Sequence, residues 1–189
     1  NISLVAATVL AVQSCSRTFE EINTDTSKIV SPTAGSMLAP LQYEMGSYGY
    51  NRADDFTFQI MQVAIPFPNE GNTVSRYYFT EGTGAGFWNT SYKWLKQAKE
   101  MNDFAVKENN PNYQAIAKVM NAWIYSNLTD AFGDVPFSEA LKLEEDIMKP
   151  KFDSQKDIYV TLLNDLREAN DLFDTTKALS EPDLFFQGH

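Results

Sequence analysis

The chain opens on an apolar run that has no polar face. Ile2 to Val12 carries no charge and is apolar apart from Ser3 and Thr8. This is the length of the hydrophobic region of a secretory signal and falls short of the roughly 20 residues that cross a bilayer as a helix. A helix packed on a core would show a polar stripe, and this run shows none. Ser16 to Pro32 then turns polar, rich in Thr, Ser, Asn and Asp, as a flexible stalk does. Beyond it the pattern is mostly helical. Short helices are predicted at 36–48 and 55–63, broken by Gly46, Gly49, Pro66 and Pro68. Residues 66–86 read as loop, with a short extended piece at 74–80. A long helix is expected over 87–107, with Trp88, Tyr92, Leu95, Lys99, Met101 and Ala105 as an imperfect stripe. Asn110 as N-cap and Pro111 at the first helical position open the next. Its face, Tyr113, Ile116, Ala117, Met120, Ile124, Asn127 and Leu128, keeps a 3.6-residue period. Gly133 suits its C-terminal end and Pro136 bars continuation. Ser154, with Asp157 three residues on, starts a last helix whose face runs Ile158, Leu162, Leu166, Ala169 and Phe173. Long helices joined by short turns make αα-hairpins that stack into a solenoid-like body. No clean 34-residue repeat is visible, so periodicity by itself gives an all-α domain.

Cysteine usage adds a location. The only cysteine, Cys15, stands where the apolar run ends, after the small residue Ser14. That is the arrangement of a lipoprotein processing site, in which the thiol receives the lipid, although Gln13 departs from the small residue the pattern prefers. The predicted organisation is therefore a signal peptide over 1–14, a lipid-anchored stalk over 15–32 and a helical domain over 33–189. The opening on Asn1, with no Met and no basic stretch, leads us to expect missing residues upstream. Several acyl chains would make such a tether effectively permanent, since one chain alone binds only marginally. Plain secretion is the competing reading.

Composition excludes some functions. The net charge is −10, with no Lys/Arg cluster, which argues against nucleic acid or anionic lipid as electrostatic partners. Hydrophobic residues make up 43%, enough for a packed core without a disulfide. The single histidine is the terminal His189, so no internal histidine serves a base, a triad or a zinc site. No catalytic residue, metal site or cofactor is expected. The run Gly82-Thr-Gly-Ala-Gly86 lacks the Gly-Lys-Ser/Thr of a phosphate loop and reads as a loop. Asp54-Asp55 and Glu144-Glu145-Asp146 could serve a glycosidase or a calcium ion, but in so acidic a chain they read as solvated surface. What remains is aromatic: Tyr77, Tyr78, Phe79, Phe87, Trp88, Tyr92 and Trp94 crowd around the glycine-rich run. Sugar rings stack on aromatic faces while amides and arginines take the hydroxyls. Arg76, Tyr77, Tyr78, Trp88 and Asn89 are accordingly the candidate ligand-binding residues. Core packing is the competing role for aromatics at helical spacing.

The segment from Tyr113 to Leu141, with its Asp130-Ala-Phe-Gly-Asp-Val-Pro136 turn, resembles the signature of the SusD/RagB family. Pro150-Lys-Phe-Asp-Ser-Gln-Lys-Asp-Ile-Tyr159 and Phe19-Glu-Glu-Ile-Asn-Thr-Asp25 resemble flanking family stretches, with Thr26 in place of the usual Pro. Leu184-Phe-Phe-Gln-Gly-His189 has His where the family pattern has Asp. The resemblance implies TPR-like helical hairpins, of which this chain would hold the N-terminal part. It also implies a lipoprotein of the cell outer membrane, facing the exterior and anchored at Cys15. Such a protein captures oligosaccharides or peptides without chemistry and acts as a lid on a TonB-dependent transporter. In the turn, Gly133, Asp134 and Pro136 are expected to serve the fold, with Gly133 supplying a positive φ. An exported glycoside hydrolase using Asp54 or Glu144, and a purely structural scaffold, are the rival readings.

Overall fold

Four helices dominate the described part of the chain, each packed antiparallel on the one before it. The computed structural model describes residues 32–63, 67, 71, 73–142 and 145–185. The chain divides into two units, Asn1–Pro32 and Thr33–His189, and every element described below belongs to the second. Cys15, the stretch Phe19–Asp25, Pro66, Pro68, Glu144 and His189 lie outside the described residues.

Helix α1 spans Ala34–Arg52. Thr33 caps it: its hydroxyl accepts from Ser36 N at 3.2 Å, and the Ser36 hydroxyl accepts from Thr33 N at 3.0 Å. The expected break at Gly46 and Gly49 does not occur, and the helix also runs through the exposed Pro40. Each glycine costs about 1 kcal/mol and the proline about 3. Burial of Leu38, Leu41 and Met45 against the neighbouring helix contributes roughly 1.5–3 kcal/mol apiece, so packing offsets propensity. The chain then widens into a π-helical turn, Ala53–Thr57, followed by a short α turn, Phe58–Ile60. The expected extended piece at 74–80 is instead a 3-10 turn, Val74–Arg76, closed by Tyr77 in the left-handed region at φ 55°. Side-chain bonds to backbone hold it there: Tyr77 OH donates to Ile60 O at 3.0 Å and Gln62 Nε2 to Ser75 O at 2.8 Å.

Helix α2 spans Ala85–Lys107 and α3 spans Pro111–Phe132. The buried stripe of α2 is Phe87, Ser91, Trp94, Leu95, Ala98, Met101 and Ala105. This corrects the expected one: Lys99 is exposed and pairs with Asp103, while Trp88 and Tyr92 flank the stripe half-buried. Pro111 stands at the start of α3 as expected, yet the Asn110 side chain makes no capping bond. Helix α3 is central and buries more than one face, with Tyr113, Ala117, Met120, Ile124 and Leu128 joined by Ala115, Ala122 and Tyr125. Helix α4 spans Gln155–Leu172, and Ser154 Oγ caps it by accepting from Asp157 N at 3.2 Å. Ile158, Leu162 and Ala169 are buried as expected, whereas Leu166 and Phe173 are 39% and 46% exposed. Between α3 and α4, β1 (Val135–Pro136) and β2 (Phe152–Asp153) form one antiparallel ladder, Val135 opposite Asp153 and Pro136 opposite Phe152.

Contacts fix the antiparallel order. Ala34 N donates to Glu108 Oε1 at one end of α1–α2, and Tyr48 meets Phe87 at the other. Lys118 of α3 pairs with Asp165 and Glu168 of α4, while Asp130 accepts from Tyr159 OH at 2.8 Å. A stack of sequential antiparallel helices is the TPR-like arrangement.

Candidate functional site

The N-terminal turn of α2 is where the stack opens. Gly84 caps α2 with φ 91°, and a Cβ there would lie 3.1 Å from the Phe132 ring, so both backbone and space demand glycine. This close approach lets the end of α3 reach the start of α2. Phe87 stacks between Tyr48 at 6.2 Å and Phe132 at 6.1 Å, and Trp88 meets Phe132 edge-on at 5.2 Å and Phe152 at 6.1 Å. The result is a continuous aromatic wall from α1 to β2.

A cavity lies on each side of this wall. One, of about 590 Å³, is lined by Tyr48, Asn51, Arg52, Asp55, Phe56, Thr83, Gly84, Gly86, Phe87, Ala131 and Phe132. The π-helical turn at the end of α1 supplies part of its polar rim, and such turns recur at functional sites. The Arg52 guanidinium lies 3.7 Å over the Phe87 ring centre, and burial holds its pKa below the usual arginine range. The other, of about 440 Å³, is lined by Trp88, Tyr92, Pro136, Ala140, Leu141, Lys149, Pro150 and Phe152. Tyr92 OH donates to Pro136 O at 2.8 Å, and burial pushes the Tyr92 hydroxyl pKa up. The first cavity joins aromatic faces to donors and acceptors of both charges; the second is mostly apolar.

Of the five expected ligand residues, Trp88 is in the wall and lines the second cavity. Asn89, Arg76, Tyr77 and Tyr78 are exposed, and none of the four lines either cavity. Tyr77, at 57% exposure, belongs to the turn at 74–77, which the sequence pattern alone does not bring to the wall. Tyr48, Asn51, Arg52 and Phe132 were absent from the expected set. Their signal was faint: Tyr48-Gly-Tyr-Asn-Arg52 looks like a helix end, and Asp55 reads as solvated surface. Asp54 is exposed on the π turn, and Glu144, the other carboxylate considered for a hydrolase, lies outside the described residues. Among the described residues no group of three or more His, Cys, Asp or Glu is arranged to hold a metal ion.

The turn after α3 ties it to α4. Gly133 has φ 75° and ψ −124°, a backbone for glycine alone, and the Thr129 hydroxyl donates to its carbonyl. Asp134 Oδ1 accepts from Gln155 N at 3.0 Å. Asp153 accepts from Phe137 N, Ser138 N and Ser138 Oγ at 3.2, 2.7 and 2.9 Å. Burial alone would raise its pKa, but these bonds and Lys151 outweigh burial and hold it below the usual aspartate range.

No helix among the described residues is long and apolar enough to cross a membrane. No curated protein matches the chain. Among solved structures, a SusD homolog from Bacteroides fragilis matches 84% of the chain at 24% identity with a TM-score of 0.63. The chain spans 32% of that protein's length. A second SusD homolog from the same organism, 29% identical, covers 52% of the chain and 21% of its own length, with a TM-score of 0.46. Residues 26–189 match the SusD-like family described as "Starch-binding associating with outer membrane". That match takes in every described helix and both cavities, and the chain belongs to this SusD-like family.

Proposed function

We propose that this protein captures oligosaccharides at an outer membrane and hands them to a TonB-dependent transporter. The observation that carries the capture step is the 590 Å³ cavity, where Tyr48, Phe87 and Phe132 offer ring faces beside Asn51, Arg52, Asp55 and Thr83. A sugar presents an apolar C–H face and a polar edge at once, and needs both kinds of surface. A peptide would favour an exposed strand edge or an apolar groove, and the ladder here is only two residues long. The family's description supports the membrane association and the class of ligand. Cys15 carries the lipid on this reading, the 15–32 segment is its stalk, and the helical domain over 33–189 faces the exterior. No covalent step is assigned: binding and release do the work, and the transporter supplies the energy. The five residues expected from sequence contribute through Trp88 in the wall, while Gly133, Asp134 and Pro136 serve the fold.

Titration calorimetry of the full chain against an oligosaccharide panel tests capture, with saturable, micromolar binding expected for at least one member. Pull-down with a β-barrel partner tests delivery. Acyl labelling lost in Cys15→Ser tests the anchor, and an unlabelled yet membrane-bound wild type would contradict it.

A further inference from the structure

Arg52 is the charged group of the 590 Å³ cavity that an aromatic ring holds in place. Its guanidinium covers the Phe87 ring at 3.7 Å, yet it makes no hydrogen bond or ion pair with any described residue. It lines the 590 Å³ cavity and also a smaller one of about 100 Å³, which shares Tyr48 and Phe87 with it. Ser91 lines that smaller space, is 0% exposed, and its hydroxyl has no partner. A buried polar group is almost always bonded, so the Ser91 hydroxyl is an exception, and the Arg52 edge donors, engaged by no described group, are available to an acceptor that arrives with the ligand. A guanidinium already stacked on a ring keeps its edge donors in a fixed plane, and that planar fork matches a carboxylate in bidentate fashion.

We infer that the cavity selects sugars that carry a carboxylate, with Arg52 as the specificity-determining residue that receives it and Tyr48, Phe87 and Phe132 flanking the ring. This rests on the carbohydrate reading and narrows it. Two features oppose it. Asp55 lines the same cavity, and the chain carries a net charge of −10. Asp55 is exposed, so water and salt screen its repulsion, whereas the paired bonds to Arg52 form in a partly desolvated site. The acidic field slows encounter more than it weakens the bound state.

Calorimetry with oligogalacturonate and oligomannuronate, each beside its carboxyl-reduced neutral counterpart, tests this directly, with an acidic tetrapeptide as a further arm. The wild-type full chain should bind at least one uronate on the order of 10- to 100-fold tighter than its reduced form. Arg52→Gln should erase that preference, bringing the uronate and its reduced form to within about threefold of each other, and Arg52→Lys should keep part of it. Asp55→Asn, which leaves the Arg52–Phe87 contact in place, should tighten uronate binding about two- to threefold. Equal or tighter binding of the neutral sugars by wild type would overturn the inference and leave carbohydrate capture standing. A tighter grip on the tetrapeptide than on either uronate would also overturn it. Binding of no sugar at all would sink both readings.

Discussion

Two polar regions at opposite ends of the stack behave in opposite ways. At one end, buried polar side chains are fully engaged by the segment that follows α4. Asn112 donates to the carbonyls of Asp174 and Lys177 at 3.1 and 2.9 Å and accepts from Asp174 N at 2.7 Å. Tyr113 OH accepts from Glu181 N, and Gln42 spans Asp183 and Leu184 N. At the other end, Arg52 and Ser91 line cavities and make no side-chain hydrogen bond with a described residue. The first arrangement spends its hydrogen bonds on strapping the chain; the second leaves them for something that is not the chain. Burial of polar groups is therefore no guide to function by itself, and what matters is whether their bonds are already made.

Substitutions can break or sharpen that contrast. Asn112→Ala strands three backbone groups of the strap and should cost roughly 2–4 kcal/mol in chemical denaturation. A loss below about 1 kcal/mol would show that the strap is decoration. Gly84→Ala forces a side chain into a left-handed backbone and against Phe132, so a loss of about 1–3 kcal/mol is expected, with weaker ligand binding as the wall shifts. Asp153→Asn should cost about 1–2 kcal/mol at pH 7, because an amide nitrogen cannot accept the Ser138 bonds. Asp153 has a folded pKa below its unfolded value near 3.8, so its stabilisation is present above about pH 4 and lost as pH falls through the lowered value. Wild type and Asp153→Asn should accordingly converge in stability as pH falls through the lowered value. Stability curves that stay parallel throughout the acid range would count against the assignment. Ser91→Ala has the smallest expected effect and the opposite sign to Asn112→Ala. Removing a buried hydroxyl that has no bond should be neutral or stabilise by up to about 1 kcal/mol, read as an unchanged or raised Tm.

The helices were legible because amphipathic spacing records burial. The 3.6-residue face of α3, the Ser154 cap of α4 and the start near Pro111 can all be read from residue order. The family signature, carried by the Asp130–Pro136 turn, was legible too, and the match over residues 26–189 establishes the family. The continuity of α1 was hidden, because Gly46 and Gly49 speak for a break and only tertiary packing overrules them. The cavity was hidden for a related reason. It joins the end of α1, the start of α2 and the end of α3, three places more than 25 residues apart in sequence. Local crowding instead drew attention to Tyr77 and Tyr78, which are neighbours of the wall in sequence and lie on an exposed turn in space. Trp88 belongs to both pictures.

Blocking the cavity tests its role as the ligand site most directly. Ala131 is exposed at the end of α3 and lines the 590 Å³ cavity, so Ala131→Trp would fill its mouth without entering the core. Titration calorimetry of the full chain should show the best-bound oligosaccharide losing at least about tenfold in affinity, equivalent to about 1.4 kcal/mol, with the Tm unchanged. Affinity equal to wild type in a well-folded Ala131→Trp protein would contradict the assignment and move the site elsewhere.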